Sequence, residues 1–355
     1  MRDPSFRGKI QTVSARATLS AAGAGENASR GQSGRKGKSR AARMFSSLRW
    51  MAILLLLLDL ALRLILGLGH PLLFVRDPAC GYLLAPNQNV RRYFCVNQIN
   101  AYSMRSPPVR ASKAPDELRV LFIGDSVTYG QTFTNQPEIF TSILARELPS
   151  HLHRPVEALN ASAGGWAVGN EVGYLRSRGT FQSDVVVLVL NSDDLTQAFN
   201  DSVAGAVPQL PDRDPWCALA EVWARFVSPA LHRINVADRG STAAPPPQDV
   251  QPVSVTIAQL DEARLLADQN HARLLIIYSP MLGADGNLMP DPHGGFSALK
   301  QWGRRAGVPI LDLTAAYSAA STKVVLRDAA HLTPRGHRVV ATSFEQWSEL
   351  ARYIR

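Results

Sequence analysis

The sequence predicts an α/β protein, a three-layer α/β/α sandwich around a central, mostly parallel five-stranded sheet, preceded by one transmembrane helix. Three observations carry this. From Glu117 onward, short apolar runs alternate with segments of helical periodicity, the pattern of strand-helix repeats that builds a parallel sheet. The runs are near-continuous in Val, Ile and Leu, as in strands buried on both faces. Upstream, the nineteen residues from Trp50 to Leu68 are interrupted only by Asp59 and Arg63, long enough at 1.5 Å per residue to reach across a bilayer core.

Charge separates the chain into unlike parts. The 355 residues carry a formal net charge of +9, but residues 1–49 hold eleven basic and two acidic side chains, so the remainder is neutral, which argues against a nucleic-acid groove there. Residues 1–46 form a basic tail, rich in Gly, Ser and Ala up to residue 43 and expected to be disordered because it cannot bury enough apolar surface to offset chain entropy. Initiation at Met44 or Met51 would remove it. Residues 47–69 are expected to be the anchor, with Asp59 and Arg63 spaced to pair on one helix face. The rival, a cleaved signal peptide, lacks a small-residue cleavage site soon after the apolar run. Arg40, Arg43 and Arg49 flank the run on its N-terminal side, so the positive-inside rule puts the tail in the cytoplasm and residues 70–355 beyond a bacterial inner membrane, in the periplasm.

Residues 70–116 read as a membrane-proximal, β-rich collar with turns at Pro86-Asn87 and Pro107-Pro108. Cys80 and Cys95 flank a hairpin there and are candidates for a disulfide in an oxidising compartment, leaving Cys217 over. The body, 117–355, supplies strands at 118–123, 156–159, 185–190, 273–278 and 308–311. A helix through Ile257, Leu260, Ala263 and Ala267 precedes the fourth strand. The last helix has Thr333 as N-cap, Pro334 in its first turn and an apolar stripe through Val340, Phe344 and Trp347. An insertion at 201–252 breaks the rhythm with eight prolines and an apolar cluster of Trp216, Leu219, Val222, Trp223 and Phe226. It reads as a short helix and a linker, docked on the body or forming a wall above the site.

Ligands of such sheets sit at the carboxyl ends of the strands. Directly after the first strand stands Gly124-Asp125-Ser126, which puts a hydroxyl where a strand turns into a helix. Before the last helix stands Asp328-Ala329-Ala330-His331, a spacing that lets one turn of chain bring the carboxylate to one imidazole nitrogen and leave the other free to take a proton from Ser126. Acyl transfer also needs oxyanion donors. Gly164-Gly165 after the second strand supplies a glycine whose N–H can approach closely, and Asn191 after the third strand offers an amide. Asp125, Trp166 and Trp223 are candidate walls of the substrate pocket. His151 and His153 lie beside prolines in a loop, His337 reads as a packing or surface residue, and Gly164-Gly165 is no phosphate loop, since no Lys-Ser/Thr follows. No Cys/His spacing fits a metal, and nothing calls for a cofactor.

With Gly124-Asp125-Ser126, Gly165 and Asp328-x-x-His331 in this order, the chain over about 117–355 resembles the SGNH (GDSL-type) hydrolase superfamily. That resemblance implies a flavodoxin-like sheet, Ser126 as nucleophile, Asp328 and His331 completing its triad, and the N–H groups of Ser126 and Gly165 in the oxyanion hole. The third block departs from the family pattern. The simplest register puts Asp193 where an Asn belongs, with Asn191 two residues earlier, so either Asn191 serves, or Asp193 is protonated, or two backbone donors suffice. Anchor, collar and body together look like membrane-tethered bacterial members, some of which work beside acyltransferases on exported polysaccharides. The expected function is a membrane-anchored serine esterase removing O-acyl, mainly O-acetyl, groups from an extracytoplasmic carbohydrate or lipid, with a polysaccharide-export or acyltransferase partner. The alternatives are an O-acyltransferase using the same triad and a non-catalytic polysaccharide-binding subunit.

Overall fold

The computed structural model describes residues 30–110, 112–231, 250–289, 291 and 294–353. It divides into two units, 1–56 and 57–355. Helix α1 runs Arg30–Ala61. It therefore begins inside the tail expected to be disordered, where the Arg, Lys and Ala of 35–43 are good helix formers that an apolar helix can recruit. The rest of that tail, with Pro245-Pro246-Pro247 of the insertion, lies outside the described residues. The transmembrane span expected over 47–69 is not seen as such. Among the described residues no helix is long and apolar enough to cross a membrane. The α-helix ends at Ala61, and a π-turn over Leu62–Leu66 closes on Gly67 in the left-handed region (φ 70°).

Two antiparallel hairpins follow. Strand β1 (Phe74–Asp77) pairs with β2 (Gly81–Leu84), and β3 (Gln88–Arg92) with β4 (Cys95–Ile99). Cys80 thus belongs to the first hairpin and Cys95 to the second, and both thiols are free, as is that of Cys217, so the expected disulfide is absent. Cys80 is buried, with Sγ 3.8 Å from the Tyr82 carbonyl, whereas Cys95 Sγ lies 3.3 Å from that of Phe133. Leu72, Phe74, Tyr82, Leu84, Ile99 and Met104 of this region are buried in the same core as strands of the body.

The body is built on β5 (Leu118–Gly124), β6 (Val156–Ser162), β7 (Val185–Asn191), β8 (Arg273–Ser279) and the short β9 (Ile310–Asp312), five strands paired in the order β9-β8-β7-β5-β6. Every pairing is parallel. Counted along the body this is the order 2-1-3-4-5, the flavodoxin-like arrangement, whose switch point lies between β5 and β7. The pleat sends alternate residues to opposite faces. Leu121 and Ile123 of β5 and Val186, Leu188 and Leu190 of β7 enter one core, with Val172 and Leu175 of a helix over Val168–Arg178 and Leu260 and Ala263 of a helix over Val253–Gln269. Val120, Phe122, Val187 and Val189 enter the other, with Ile143 and Leu144 of a helix over Phe140–Leu152 and Val340 and Phe344 of the last long helix, Pro334–Glu345. That helix is capped as its sequence foretells, Thr333 Oγ1 accepting from the Gly336 N–H at 3.0 Å.

Two of the buried basic side chains, Arg105 and His337, brace this frame. Arg105 donates to the carbonyls of Tyr129 (2.6 Å), Gln131 (2.7 Å) and Thr134 (2.6 Å), so one side chain from the chain segment before the body fixes the loop that leaves the turn at Ser126. His337 is fully buried, stacks on Phe140 with ring centroids 6.0 Å apart, and accepts the Phe140 N–H on Nδ1. Burial, with Arg105 and Arg327 nearby, pushes its pKa down from 6.5 to about 3. The unfolded chain therefore binds a proton that the folded chain refuses. Its stabilising contribution is complete above about pH 6.5 and is lost as pH falls from there toward about 3. We expect urea-unfolding free energies between pH 6.5 and 4.5 to fall less steeply in His337→Phe than in the wild type. Buried carboxyls act in the opposite direction in both proteins, so an unchanged difference across that range would refute the assignment.

Candidate active site

The switch point is where the chemistry-bearing residues gather. β5 ends at Gly124, and the chain turns at once into a single helical turn, α2 (Ser126–Tyr129), capped by Asp125, whose Oδ1 accepts the Val127 N–H at 2.8 Å. The turn folds back so tightly that a Cβ at Gly124 would lie 2.2 Å from Thr128 Oγ1 and 3.0 Å from the Val189 carbonyl, so only glycine fits. Asn160 of β6 braces α2 from beside it, donating to the Thr128 carbonyl (2.8 Å) and Thr141 Oγ1 (3.0 Å).

The other half arrives from the C-terminal segment. The loop between Leu326 and Leu332, which bridge antiparallel, is closed by the Arg327 N–H on the His331 carbonyl (2.8 Å). Within it Asp328 Oδ1 accepts the backbone N–H of His331 (2.9 Å) and Ala330 (3.1 Å), and its carboxylate meets His331 Nδ1 at 2.8 and 2.9 Å. His331 Nε2 then stands 2.9 Å from Ser126 Oγ. Burial pushes the Asp328 carboxyl up, but the bonds from the backbone and ring of His331 and from Ala330 outweigh it and hold it below the usual range. It thus stays charged opposite Nδ1, orienting the ring so that Nε2 presents its lone pair to the serine hydroxyl. The three side chains form a succession of acid, imidazole and hydroxyl, with Ser126 the most buried of the three.

Ser126 and His331 lie in a cleft of ≈ 640 Å³. Gly165 lines it, at the turn after β6. Its φ of +83° lies in the region that favours glycine, and a Cβ there would stand a tight 3.2 Å from Tyr82 Oη. The flanking carbonyls are pinned, that of Gly164 by Tyr82 O–H (2.9 Å) and that of Gly165 by Asn200 Nδ2 (2.7 Å), so the peptide that carries the Gly165 N–H cannot rotate freely. Asn191, at the end of β7, also lines the cleft, but its Nδ2 donates to Asp125 Oδ2 at 2.9 Å, and its Oδ1 accepts the Asp193 N–H at 2.7 Å. One amide proton is therefore committed to Asp125. Asp193 is exposed and faces the same cleft.

Asp125 is a floor residue rather than an open wall, 5% exposed. Burial raises its pKa against bonds from the Val127 N–H and the pull of His331 and Ser126. Behind it Asp194 and Glu171 are fully buried and pushed well up, each first by desolvation and then by a neighbouring carboxyl. Asp194 Oδ2 accepts the Asn191 N–H at 2.7 Å. Trp166 and Trp223, expected as pocket walls, are not. Trp166 is 1% exposed with Nε1 on the Tyr82 carbonyl (3.0 Å), so it packs under the Gly165 turn. Trp223 is 58% exposed and lies outside the cleft. The insertion does contribute a wall, through Arg225 and Phe226, joined by Tyr82, Phe133, Gln197 and Asn200. Phe226 belongs to the insertion cluster that the sequence offers as a wall, whereas Tyr82, Phe133, Gln197 and Asn200 escape sequence reasoning, because they stand in loops and short strands that no local period connects to the serine. Among the described residues no group of three His, Cys, Asp or Glu side chains is placed to hold a metal ion.

No protein-family model and no curated protein matches the sequence. Solved structures of similar fold include a member of the lipolytic G-D-S-L family from Veillonella parvula, 13% identical over 65% of this chain and 98% of that chain, with a TM-score of 0.41. An α/β hydrolase enzyme from the metagenome of Lake Arreo is 16% identical over 66% of this chain and 95% of its own, with a TM-score of 0.42. An acetylxylan esterase from Geobacillus stearothermophilus is 15% identical over 67% and 94%, with a TM-score of 0.40.

Two substitutions test the geometry of the cleft. Tyr82→Phe removes the hydroxyl that pins the Gly164 carbonyl, and we expect kcat for an acetyl ester to fall by about tenfold with little change in KM, the worth of one hydrogen bond. Asp193→Asn removes an exposed carboxylate from the lining of the cleft. We expect kcat to rise by up to about tenfold, most at low ionic strength. A fall in kcat would assign the Asp193 carboxylate a positive role.

Proposed function

We propose that this chain is a serine ester hydrolase of the SGNH type. The single observation that carries the reading is the 2.9 Å approach of His331 Nε2 to Ser126 Oγ, with Asp328 on the far nitrogen, at the base of a solvent-reached cleft. Ser126 Oγ attacks the ester carbonyl while His331 takes its proton, and the Gly165 N–H is the fixed donor available to the developing oxyanion. His331 then gives the proton to the departing alkoxide, leaving an acyl group on Ser126. Water repeats the sequence, losing its proton to His331 as it attacks, and Ser126 regains a proton as the carboxylic acid leaves.

The cleft sets the substrate class we favour. Its lining mixes apolar Leu72, Phe74 and Phe226 with polar Gln197, Asn200 and Arg225, which suits a short acyl group, O-acetyl above all, on a polyhydroxylated carbohydrate or a lipid headgroup. Placement at the outer side of a bacterial inner membrane is part of this proposal. Its support is the basic flank before an apolar segment whose Leu57, Leu58, Leu60 and Leu64 remain exposed. A polysaccharide-export or acyltransferase partner would supply or share the acylated substrate.

The full chain in detergent is expected to hydrolyse a chromogenic acetyl ester and to take up one fluorophosphonate label at Ser126. Ser126→Ala should abolish both, and Asp328→Asn should lower kcat by about 10⁴-fold, the cost of losing the ring's tautomer and orientation. Ester turnover that survives Ser126→Ala would dispose of the reading.

A further inference from the structure

We infer that the surface formed by the helical segment 216–227, the β3–β4 turn and the end of the leader helix is a lipid-contacting face, and that the catalytic cleft opens beside it. Its construction starts from one buried carboxylate. Glu221, 4% exposed, lies on the short helix α3 (Ala218–Val222). Its Oε2 accepts the Gly69 N–H at 2.6 Å, and its carboxylate pairs with the buried Arg92 and with Arg225. Further bonds lock the same three segments. The Leu219 N–H donates to Asp59 (2.9 Å), Arg63 bridges Asp59 (2.8 Å) and the Trp216 carbonyl (3.2 Å), and the Tyr93 N–H donates to the Leu66 carbonyl (3.0 Å).

These polar groups are turned inward, and the apolar ones are turned out. Trp216 is 88% exposed, Trp223 58%, Phe226 51%, Phe94 64% and Leu64 67%. A rigid frame that holds large aromatics in water gains nothing from folding for them, so a covering phase is implied. Its chemistry follows from the composition. The patch is continuous with the exposed leucines at 57–65, the aromatics ring the end of that helix, and exposed Arg91, over the Phe94 ring at 5.7 Å, and Arg213 stand at its margin. Apolar side chains, then a belt of Trp and Phe, then cations is the order in which a bilayer passes from acyl chains to headgroups. Phe226, Arg225 and Tyr93 line the cleft that holds Ser126, so an ester at headgroup depth reaches the serine without leaving the surface. This last step rests on the esterase reading. The lipid contact does not.

The test uses the full chain reconstituted in phosphatidylethanolamine–phosphatidylglycerol vesicles. With acyl chains brominated, tryptophan emission should be quenched, and the quenched share should fall by about half in Trp216→Phe/Trp223→Phe. In the unmodified protein, a phosphatidylcholine analogue with a diazirine on its acyl chain should label the tryptic peptide 214–225, which contains both residues. Quenching identical in wild type and double variant, or label confined to the peptide 50–63, would overturn the inference and turn the face over to a protein partner. Fluorophosphonate labelling of Ser126 in the same vesicles reports the catalytic reading separately, since neither tryptophan lines the cleft.

Discussion

Asp125 is the point on which the site depends. Its two oxygens hold the Val127 N–H, the Ser126 hydroxyl at 3.2 Å and the Asn191 amide at 2.9 Å, so one carboxyl ties the turn after β5 to the end of β7 across the switch point. Without it the two neighbouring strands would end in unconnected loops, and the serine would lose the backbone that aims it. The cost is a desolvated acid, with Asp194 and Glu171 packed behind it and all three raised in pKa. Like charges in one apolar interior cannot all ionise, so protons are retained on the cluster and it does not act as a field of negative charge. That resolves an apparent conflict, since a fully ionised floor would oppose the oxyanion the site would have to stabilise.

The same logic separates the acids of the site. Asp328 sits at the solvent-facing end, half-exposed, and accepts two backbone N–H bonds besides the imidazole. Its charge is stabilised by donors that its own loop supplies, and the loop needs little support from the body. Asp125 Oδ2 lies 3.2 Å from the Ser126 hydroxyl oxygen, while its Oδ1 is drawn into the turn geometry through the Val127 N–H. The two carboxyls thus have different duties, Asp125 beside the hydroxyl and Asp328 on the imidazole, set by solvation and by the number of backbone donors each meets.

The central strands of the sheet are legible because a strand buried on both faces is apolar at nearly every position, as Val185–Leu190 and Leu274–Ile277 are, whereas the edge strands carry Glu157 and Asp312 and are legible from their place in the strand-helix alternation. Ser126, Asp328 and His331 were legible because sheet topology converts distant sequence positions into one edge. What stayed hidden depends on contacts between segments that lack a common period. Tyr82 lies in a four-residue strand, yet it sets the Gly165 turn from outside the body. Trp166 follows two glycines at the site but packs beneath them, since the turn reverses direction at Gly165. Cys80 and Cys95 were read as one hairpin, whereas an intervening turn makes two. The leader was read as a continuous span on hydropathy alone, and the π-turn at Leu62–Leu66 comes from tertiary bonds on Asp59, Arg63 and Leu66 that hydropathy does not register.

Those bonds bear on how the cleft is organised. Glu221 is shared by Gly69, Arg92 and Arg225, and Arg225 and Arg92 both line the cleft. The wall opposite the serine is therefore not an independent lid but the inner side of a brace whose outer side carries Trp216 and Trp223. A buried carboxylate with cations on two sides tolerates little displacement, because parting any one pair leaves a charge uncompensated in a dry interior. The segment 216–227 and the end of the leader helix must then move together or not at all, and whatever seats the leader also fixes the width of the cleft at Phe226.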